Sequence, residues 1–513
     1  MAGPSAPMVA PKMFFEEFSH RFPKSGKLIT DVQDKSSIDL AGFKKKVRSA
    51  YRYFSALPHS SGDKVVLFLD NSIDYMAVLI ALFDVDLVLV PLNPRLNRIK
   101  TAYLARHSRS KFLITSQAIL DRNTWLKELP CRTVLTDEIF RSVPEPGEAS
   151  RALRKCQIPK KGLKFILYTS GTIGNPKGVM LSGESVRLKI LSLIGLLNFR
   201  PGTAFFSFLP FFSGHGMLPG MLVPFLSGCR MYLARFDPFL TFRFWDMVKK
   251  YRIHYFTAVP GILALLKEHI GGFRKKDLKC LRTIFSASSR LPQAVYDWYA
   301  GHLGIYIRNC YGLTEAVSWI SVNQDAGKGE KAHCVGKALG ADIGVFNGKG
   351  KRLGPNEPGE FRVKSPYNML GYFSNQKETR SCMTGGGFFK TGDTGYIDPK
   401  GKIFFLDRIK RIIIKNGINV YPLEIDQAFL EHPGIKDSVS FGVPDERYGE
   451  AIITALKVRD PQRSKKKYFR HAMEKLPAFL VPQDIFFPKD FPRGATGKVK
   501  VESLRKQYLG KGK

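Results

Sequence analysis

The sequence has no C-x-x-C pair, and its seven cysteines are scattered along 513 residues. An odd, dispersed set of cysteines is typical of reduced thiols and argues against a disulfide framework or a zinc site. The first residues, MAGPSAPMVAPKMFFEEF, lack the charged start and long apolar core of a secretory signal peptide. These absences together predict a cytoplasmic protein.

An apolar run long enough to cross a membrane is also missing. The most apolar segment, MAVLIALFDVDLVLVPL (76–92), is interrupted by Asp84 and Asp86, and a proline stands near its end. We interpret it as a helix that leads into a buried strand. With 44% hydrophobic and 24% charged residues the chain has the composition of a folded soluble protein, and its length predicts two or more domains.

Acidic residues are scarce: 44 of them stand against 80 lysines and arginines, for a net charge of +36. Helix-turn-helix, zinc-finger and RNA-recognition patterns are absent, so the charge alone does not indicate nucleic-acid binding. The basic residues occur in short runs, such as FKKKVR (43–48) and RSKKKYFR (463–470). The charge therefore favours an anionic substrate, an acidic protein partner or peripheral contact with an anionic membrane.

The order of apolar segments predicts an α/β fold. The strand-like runs KVVLFL (64–69), LVLVPL (87–92) and KFLIT (111–115) alternate with helical stretches, which indicates mostly parallel sheets covered by helices. After residue 330, short strands separated by Gly, Pro and Asn turns predict a β-rich subdomain. A boundary near FFLDRIKRIII (404–414) predicts a large N-terminal domain, 1–407, and a small α+β C-terminal domain, 408–513.

The stretch YTSGTIGNPKGVM (168–180) is rich in glycine and hydroxyl residues and contains one lysine. It follows the strand-like LKFIL and precedes the helical SVRLKILSLIGLL, so we predict a strand, a loop and a helix that together bind phosphate. Small residues let backbone N–H groups approach phosphate oxygens closely. The spacing does not fit the usual nucleotide loop G-x-x-x-x-G-K-[ST].

Four further motifs follow in the order NCYGLTEA (309–316), KTGDTGYID (390–398), LDRIKRIIIKNGINVYPLEID (406–426) and PRGATGKVK (492–500). With the glycine-rich loop, this order closely resembles the adenylate-forming enzymes: acyl-CoA synthetases, adenylation domains of peptide synthetases and luciferases. The resemblance covers about residues 30–510. It implies that a carboxylate attacks the α-phosphate of ATP, pyrophosphate leaves, and a thiol then displaces AMP from the acyl-adenylate.

The resemblance assigns nucleotide-binding roles to residues in the first two motifs. Tyr311 would stack on adenine, Thr314 would contact the α-phosphate, and Glu315 would bind Mg²⁺, which prefers hard oxygen ligands. Ile173 stands where the family usually has a second threonine. The residues of the loop that would hold the β- and γ-phosphates are Thr169, Ser170, Gly171, Thr172, Gly174 and Lys177.

The ribose and adenine contacts come from three more segments. Asp393 and Arg408 match family residues that contact the ribose, and a carboxylate can accept hydrogen bonds from both hydroxyls of a diol. The stretch FSASSRLP (285–292) stands where the family often reads S-G-G-A-P-L. Ser288 and Ser289 are carried over as adenine contacts, although Ser288 and Arg290 depart from the family pattern.

The C-terminal domain would carry the moving part. Lys498 matches the catalytic lysine that reaches the carboxylate and the bridging oxygen during adenylation, where a cation stabilises redistributed charge. Lys410 occupies the hinge position about which the mobile domain would rotate between the half-reactions. That rotation would bring the Gly417 loop toward the thiol. Gly494 replaces the family's usual threonine in the lysine loop.

The acyl pocket should draw on FLPFFSGHGML (208–218) and on the residue before Tyr311. Peptide-synthetase domains usually carry an aspartate in the first segment, and this chain has none, which disfavours an amino acid substrate. Ser213 stands where many acyl-CoA synthetases have histidine, and His215 could substitute for it. Cys310 replaces a frequent glycine and would narrow the pocket. The predicted pocket residues are Phe211, Phe212, Ser213, His215 and Cys310.

We therefore predict an AMP-forming acyl-CoA synthetase that uses ATP, Mg²⁺ and CoA and activates a fatty acid. Three alternatives remain open at this stage. The acceptor could be an acidic acyl carrier protein, which the basic surface favours. The acid could be an aryl acid, or the chain could be a non-catalytic binding protein of the same fold. The match of Glu315, Asp393, Arg408 and Lys498 to the family motifs argues against the last.

Overall fold

The computed structural model describes residues 13–141, 162–169, 176–235, 237–415, 418–445, 447, 449–459, 464–488, 490–494 and 499–510. The chain divides into two compact units. The first unit comprises 1–257, 313–318 and 366–381, and the second comprises 258–312, 319–365 and 382–513. The predicted domain boundary between residues 407 and 408 stays a prediction.

The strands are numbered in chain order. They are β1 Ile29–Asp31, β2 Ser36–Ile38, β3 Asp63–Leu67, β4 Leu87–Pro91, β5 Ser110–Thr115, β6 Arg132–Leu135, β7 Leu163–Thr169, β8 Lys177–Ser182, β9 Ala204–Ser207, β10 Arg230–Leu233, β11 Tyr255–Ala258, β12 Thr283–Ser286, β13 Arg308–Leu313, β14 Ser318–Val322, β15 Cys334–Ala338, β16 Asp342–Phe346, β17 Gly359–Lys364, β18 Gly371–Tyr372, β19 Phe389–Ile397, β20 Ile403–Arg408, β21 Ile413–Lys415, β22 Ile418–Val420, β23 Ile435–Asp445, β24 Gly449–Val458 and β25 Asp484–Phe486.

The α-helices are α1 Leu40–Ala56, α2 Ile73–Phe83, α3 Arg98–Ser108, α4 Gln117–Arg122, α5 Thr136–Arg141, α6 Gly183–Leu197, α7 Gly214–Met217, α8 Val223–Leu226, α9 Pro238–Lys250, α10 Pro260–Glu268, α11 Gln293–Leu303, α12 Gln376–Cys382, α13 Pro422–Leu430, α14 Lys465–Lys475 and α15 Val501–Leu509. A π-helical turn spans Leu218–Leu222, and the short 3₁₀ helices are Phe14–Arg21, Thr124–Glu128, Lys275–Asp277, Thr314–Ala316, Ile409–Arg411 and Ala478–Leu480.

A seven-stranded sheet forms one core of the first unit, in the order β18-β8-β7-β4-β3-β5-β6. Its strands from β7 to β6 are parallel, and every residue of β4 is buried. Parallel strands covered on both faces are continuously hydrophobic, which explains the run LVLVP. The predicted strands at 64–69, 87–92 and 111–115 are confirmed, as is the helix that leads into a strand over 76–92.

The glycine-rich loop does not lead directly into a helix, so the predicted order of strand, loop and helix is wrong. β7 pairs antiparallel with β8, and α6 begins only at Gly183. Val179 and Leu181 are fully buried, which gives β8 one apolar face at strand spacing. A Cβ at Gly178 would lie 2.9 Å from Cγ2 of Ile166, so the absence of a side chain permits the close pairing. The loop therefore joins the two strands of a hairpin.

The first unit also holds the strands β11-β9-β10-β1-β2, in that order. In the second unit the order β16-β17-β19-β20-β15-β14-β13-β12 is largely antiparallel, in agreement with the predicted β-rich subdomain. After residue 412, β22-β21-β24-β23 and the attached β25 form another sheet, and α13 and α14 pack on one of its faces. The predicted α/β class is confirmed. No helix within the described parts of the chain is long and apolar enough to cross a bilayer.

Candidate active site

The glycine-rich loop is closed at its base by two residues that face each other across the hairpin. Thr169 at the end of β7 is the cross-strand partner of Lys177 at the start of β8. The Thr169 hydroxyl donates to the Lys177 carbonyl oxygen at 3.5 Å. Four predicted phosphate-binding residues lie outside the described residues: Ser170, Gly171, Thr172 and Gly174. The hairpin thus fixes both ends of the predicted loop.

Lys177 forms an ion pair with Glu378, and this contact joins residues far apart in the sequence. Glu378 lies on α12. The strand that precedes this helix, β18, pairs antiparallel with β8, the strand that begins at Lys177. The lysine ammonium also lies 5.2 Å from the centroid of the Tyr372 ring, a favourable cation–π distance. The side chains of Lys177 and Glu378 remain 29% and 39% exposed, so an incoming anion can reach the lysine.

Tyr372 connects this ion pair to the predicted magnesium ligand. Its hydroxyl donates to Oε1 of Glu315 at 2.9 Å. The 3₁₀ helix that carries Thr314 and Glu315 is held in turn by the backbone, because the Met369 N–H donates to the Glu315 carbonyl oxygen at 2.7 Å. We refer to Lys177, Glu315, Tyr372 and Glu378 as the Lys177 group. Lys177 pairs with one half-buried carboxylate, that of Glu378, and is linked to the other, that of Glu315, through Tyr372.

The donor set of the Lys177 group fits Mg²⁺ held jointly with phosphate. Magnesium usually takes one or two carboxylates and completes its shell with waters and substrate phosphates. Glu315 supplies one such carboxylate, since only one of its oxygens accepts from Tyr372. Across the described residues there is no cluster of three or more His, Cys, Asp or Glu side chains that could hold a metal alone. A metal at Glu315 would therefore rely on phosphate oxygens.

A second set of predicted residues meets in the other unit around Asp393. Asp393 on β19 and Arg408 on β20 are direct cross-strand partners, and Nε of Arg408 lies 2.9 Å from Oδ1 of Asp393. The Tyr311 hydroxyl donates to Oδ2 of the same carboxylate at 2.8 Å. We refer to Tyr311, Asp393 and Arg408 as the Asp393 group. Each carboxylate oxygen can accept two hydrogen bonds, so capacity remains for a diol.

Burial and charge keep the Tyr311 hydroxyl of the Asp393 group protonated. The Asp393 side chain is 3% exposed, and its Arg408 partner is half-exposed. Burial and the adjacent Asp393 charge raise the pKa of Tyr311 well above its ordinary value, so the phenol stays a donor. The Tyr311 ring lies between Phe361 and Phe405, with centroid distances of 5.7 and 5.8 Å. Phe361 and Phe405 thereby orient the Tyr311 ring, whose face would stack on adenine.

The other residues that we predict to contact adenine or to act as the hinge lie in loops and short turns. Ser288 has a φ of +74°, in the left-handed region that side chains disfavour, and Ser289 is exposed. Lys410 is exposed on the 3₁₀ helix that follows β20. Lys498 and Gly417 lie outside the described residues, so their predicted roles stay predictions.

The predicted acyl-pocket segment of the first unit is largely aromatic. Phe211 is fully buried, and its ring packs edge-on against Tyr75 at 5.4 Å. Ser213 caps α7 by accepting from the Gly216 N–H at 3.1 Å. His215 Nε2 lies 2.7 Å from the hydroxyl of Thr257. Phe212 is half-buried. His215 is therefore a hydrogen-bonded histidine on a helix of one turn, oriented by a buried threonine.

Cys310, the predicted size gate, lies in the second unit on β13. Its side chain is 4% exposed, and burial raises the pKa of its thiol well above the usual value. The thiol donates to the Arg308 carbonyl oxygen at 3.4 Å. The residue is thus a neutral, buried thiol and not a nucleophile.

One cavity of about 470 Å³ lies apart from these groups in the first unit. Its lining includes Arg122, which pairs with Asp70, and Arg235, which pairs with Asp34. None of the predicted site residues lines it. Because its charges largely compensate one another, we assign no role to it.

Two family profiles match the chain. A profile described as AMP-binding enzyme matches residues 15–373, and one described as AMP-binding enzyme C-terminal domain matches residues 424–498. This chain belongs to the AMP-binding enzyme family. The adenylate-forming family that the motifs resemble is thereby confirmed.

Curated relatives and solved structures agree with this family over almost the whole chain. Oxalate–CoA ligase from Arabidopsis thaliana is 29% identical over 474 residues, which are 90% of this chain and 92% of that protein. A long-chain-fatty-acid–CoA ligase from Mycobacterium tuberculosis is 28% identical over 88% of this chain and 90% of its own length. The crystal structure of ATP-bound MatB from Rhodopseudomonas palustris superposes with a TM-score of 0.83 at 25% identity, covering 97% of this chain and 99% of that one.

Two members of the Lys177 group in this AMP-binding enzyme were not predicted from the sequence. Tyr372 and Glu378 lie about two hundred residues from Lys177, and no local pattern marks them. They reach the site only because β18 adds to the edge of the β7–β8 hairpin. The segment GYFSNQKE has few other signals, and pairing of distant strands cannot be derived from its composition.

We expect Glu378 to compete with ATP phosphates for Lys177. Replacing it in Glu378→Gln removes the competing charge and keeps the side-chain shape, so KM for ATP should fall. A partly exposed ion pair contributes about 0–1 kcal/mol, which corresponds to a change of up to about fivefold. The measurement is ATP–pyrophosphate exchange as a function of ATP at saturating acid.

The double variant supplies the control for this competition. In a Lys177→Gln background, Glu378→Gln should leave KM for ATP unchanged, because the lysine that both anions share is gone. A rise in KM for ATP in Glu378→Gln alone, together with a raised Mg²⁺ requirement, would contradict competition and would indicate that Glu378 helps to hold the metal.

The Asp393 group should determine recognition of the ribose hydroxyls. The wild-type protein should prefer ATP over 2′-deoxy-ATP by about tenfold or more, since a hydrogen bond to a charged group contributes about 1.5–3 kcal/mol. Asp393→Ala should reduce this ratio of kcat/KM values toward one. Asp398→Ala is the matched control, because Asp398 accepts from the backbone N–H groups of Lys400 and Lys402 in the next turn. Retained discrimination in Asp393→Ala would refute the assignment.

Proposed function

We propose that this protein activates an apolar carboxylic acid, with a fatty acid as the preferred class, and transfers it to CoA. The chain is an AMP-forming acyl-CoA synthetase, and ATP, CoA and Mg²⁺ take part in its reaction. The acid is the open question, because relatives of similar identity act on oxalate and on long-chain fatty acids, as their names state.

The observation that supports an apolar acid is the aromatic segment around Phe211. Between residues 208 and 218 the only ionisable side chain is His215. Phe208 of this segment packs with Phe206 and Phe244, and the three rings lie at centroid distances of 5.3–5.5 Å. A dicarboxylate would need a cation for its second charge, and an amino acid would need an acid for its amine. Neither group is present in the segment.

Each group is proposed to have its own role in the first half-reaction. A carboxylate oxygen of the acid attacks the α-phosphorus of ATP, and the bond from that phosphorus to the pyrophosphate oxygen breaks. Lys177 would neutralise charge on the departing phosphates, and Glu315 would hold Mg²⁺ against their oxygens. When bound, the metal offsets phosphate charge. Asp393 and Arg408 would hold the ribose still, which lowers the entropic cost of attack.

In the second half-reaction the nucleotide contributes only its leaving group, AMP. The sulfur of CoA attacks the carbonyl carbon of the acyl-adenylate, and AMP leaves with the electron pair of the broken bond. Lys498 is proposed to act in the first half-reaction alone, and the proposed rotation at Lys410 would separate it from the second. The proposed boundary between residues 407 and 408 lies at this hinge.

Acid-dependent ATP–pyrophosphate exchange tests the proposed substrate. The panel consists of fatty acids of increasing length, benzoate, oxalate and a neutral amino acid. We expect the highest kcat/KM with a fatty acid, and a lower value with oxalate and the amino acid because each would bury an unpaired charge. A preference for oxalate would contradict the apolar pocket, and a preference for benzoate would favour an aryl-acid ligase.

A variant of the proposed catalytic lysine tests the two half-reactions separately, so that loss of adenylation can be distinguished from an unsuitable acid. Lys498→Ala should lose exchange by a factor on the order of 10² or more and should still form thioester from supplied acyl-adenylate. Equal loss of both steps would contradict the division between half-reactions. Absence of exchange with every acid, in a wild-type protein that binds ATP, would support a non-catalytic member of the family.

Chain length should depend on Cys310. Each methylene that fits contributes about 0.8 kcal/mol of burial, and a clash with a packed wall costs about 1–3 kcal/mol. Cys310→Gly should therefore move the optimum of kcat/KM toward longer acids without changing KM for ATP. Cys310→Ala is the matched control, because it removes the sulfur and keeps the Cβ. An unchanged chain-length profile in both variants would show that Cys310 does not gate the pocket.

A further inference from the structure

One helix of the first unit exposes two large aromatic side chains that the reaction does not use. Phe239 and Phe242 on α9 are 81% and 66% exposed. They lie three residues apart, so they project from the same face of the helix. The other exposed residues of this face are Arg243, Asp246, Lys249 and Lys250. We refer to these six residues as the α9 face.

The opposite side of α9 anchors the helix firmly. Leu240, Phe244 and Trp245 are at most 2% exposed, and Phe244 packs on Phe256 at a centroid distance of 5.1 Å. Asp237 caps the helix by accepting from the Leu240 N–H at 2.7 Å. The exposed phenylalanines therefore project from a rigid, capped helix, and their exposure is not a consequence of a frayed segment.

The charges of the α9 face indicate what it contacts. This face contains three basic residues, Arg243, Lys249 and Lys250, and one acidic residue, Asp246. The whole chain has a net charge of +36. Aromatic side chains beside cations on one helix face are typical of helices that lie in the interface of an anionic bilayer. The phenylalanines can enter the acyl region while the long basic side chains remain at the level of the lipid phosphates.

We propose that the α9 face docks this protein onto the surface of an anionic phospholipid membrane. A protein partner is a poorer occupant, because a specific protein interface buries about 800 Å² on each side, and among the described side chains of this face only two are large and apolar. A second copy of the chain is poorer still, since two surfaces of the same positive charge repel each other. The proposal is independent of the acid that the enzyme activates.

Vesicle binding tests the proposal. Wild-type protein is sedimented with phosphatidylcholine vesicles, with and without about 30% phosphatidylserine, over about 0.05–0.3 M salt. We expect binding to the phosphatidylserine vesicles that weakens as salt rises. Phe239→Ser combined with Phe242→Ser should weaken binding by about a hundredfold or more, because each buried phenylalanine contributes at least about tenfold to partitioning. Activity on a water-soluble short acid without vesicles should stay unchanged.

A matched variant and a site-specific probe complete the test. Met473→Ser combined with Phe479→Ser removes two side chains that are 64% and 50% exposed near the basic α14. It should leave vesicle binding unchanged. In Phe239→Trp, emission should shift to the blue when phosphatidylserine vesicles are added. The proposal is overturned by absent binding, by equal loss in the two double variants, or by vesicle binding that leaves the Trp emission unshifted.

Discussion

The pairing of β7 with β8 is the constraint on which the rest of the candidate site depends. It makes Thr169 and Lys177 neighbours across the hairpin and so determines where the glycine-rich loop starts and ends. The free edge of β8 then accepts β18, which brings Tyr372 and α12 to Lys177. Without the hairpin, Lys177 would have no fixed relation to a segment nearly two hundred residues away. The Lys177 group is thus a consequence of the order of strands in the seven-stranded sheet.

The Lys177 group and the Asp393 group each contain an ion pair that remains partly exposed. Lys177 faces Glu378, and Arg408 faces Asp393, and in each pair at least one partner is a third or more exposed. A pair as exposed as Lys177 and Glu378 contributes about 0–1 kcal/mol, so a nucleotide phosphate can replace Glu378 at little cost. Pairing before binding orients the long side chains, which reduces the conformational entropy that binding must remove. Within each group the charged side chains are therefore ordered before the nucleotide binds.

Sequence reasoning was most successful where function is concentrated in short motifs. The motifs named Tyr311, Asp393 and Arg408, and the structure brings these three together through cross-strand pairing, although their roles stay predictions. It failed at β8, where KGVMLS carries no helix or turn signal strong enough to separate strand from loop. It could not find Glu378, because a single carboxylate on an exposed helix is common and only the distant pairing of β18 gives it a partner.

The charges around the predicted hinge are compatible with movement of the C-terminal part. Arg411 lies 3.5 Å from Asp407 and 3.7 Å from Asp426, both beyond ordinary hydrogen-bond distance. Asp407 also accepts from the Arg408 N–H at 2.7 Å, and Asp426 accepts from the Ser440 hydroxyl at 2.7 Å. If either ion pair opened, one oxygen of its carboxylate would keep a hydrogen bond, which reduces the cost of leaving that carboxylate buried. The proposed rotation at this point would break two long ion pairs.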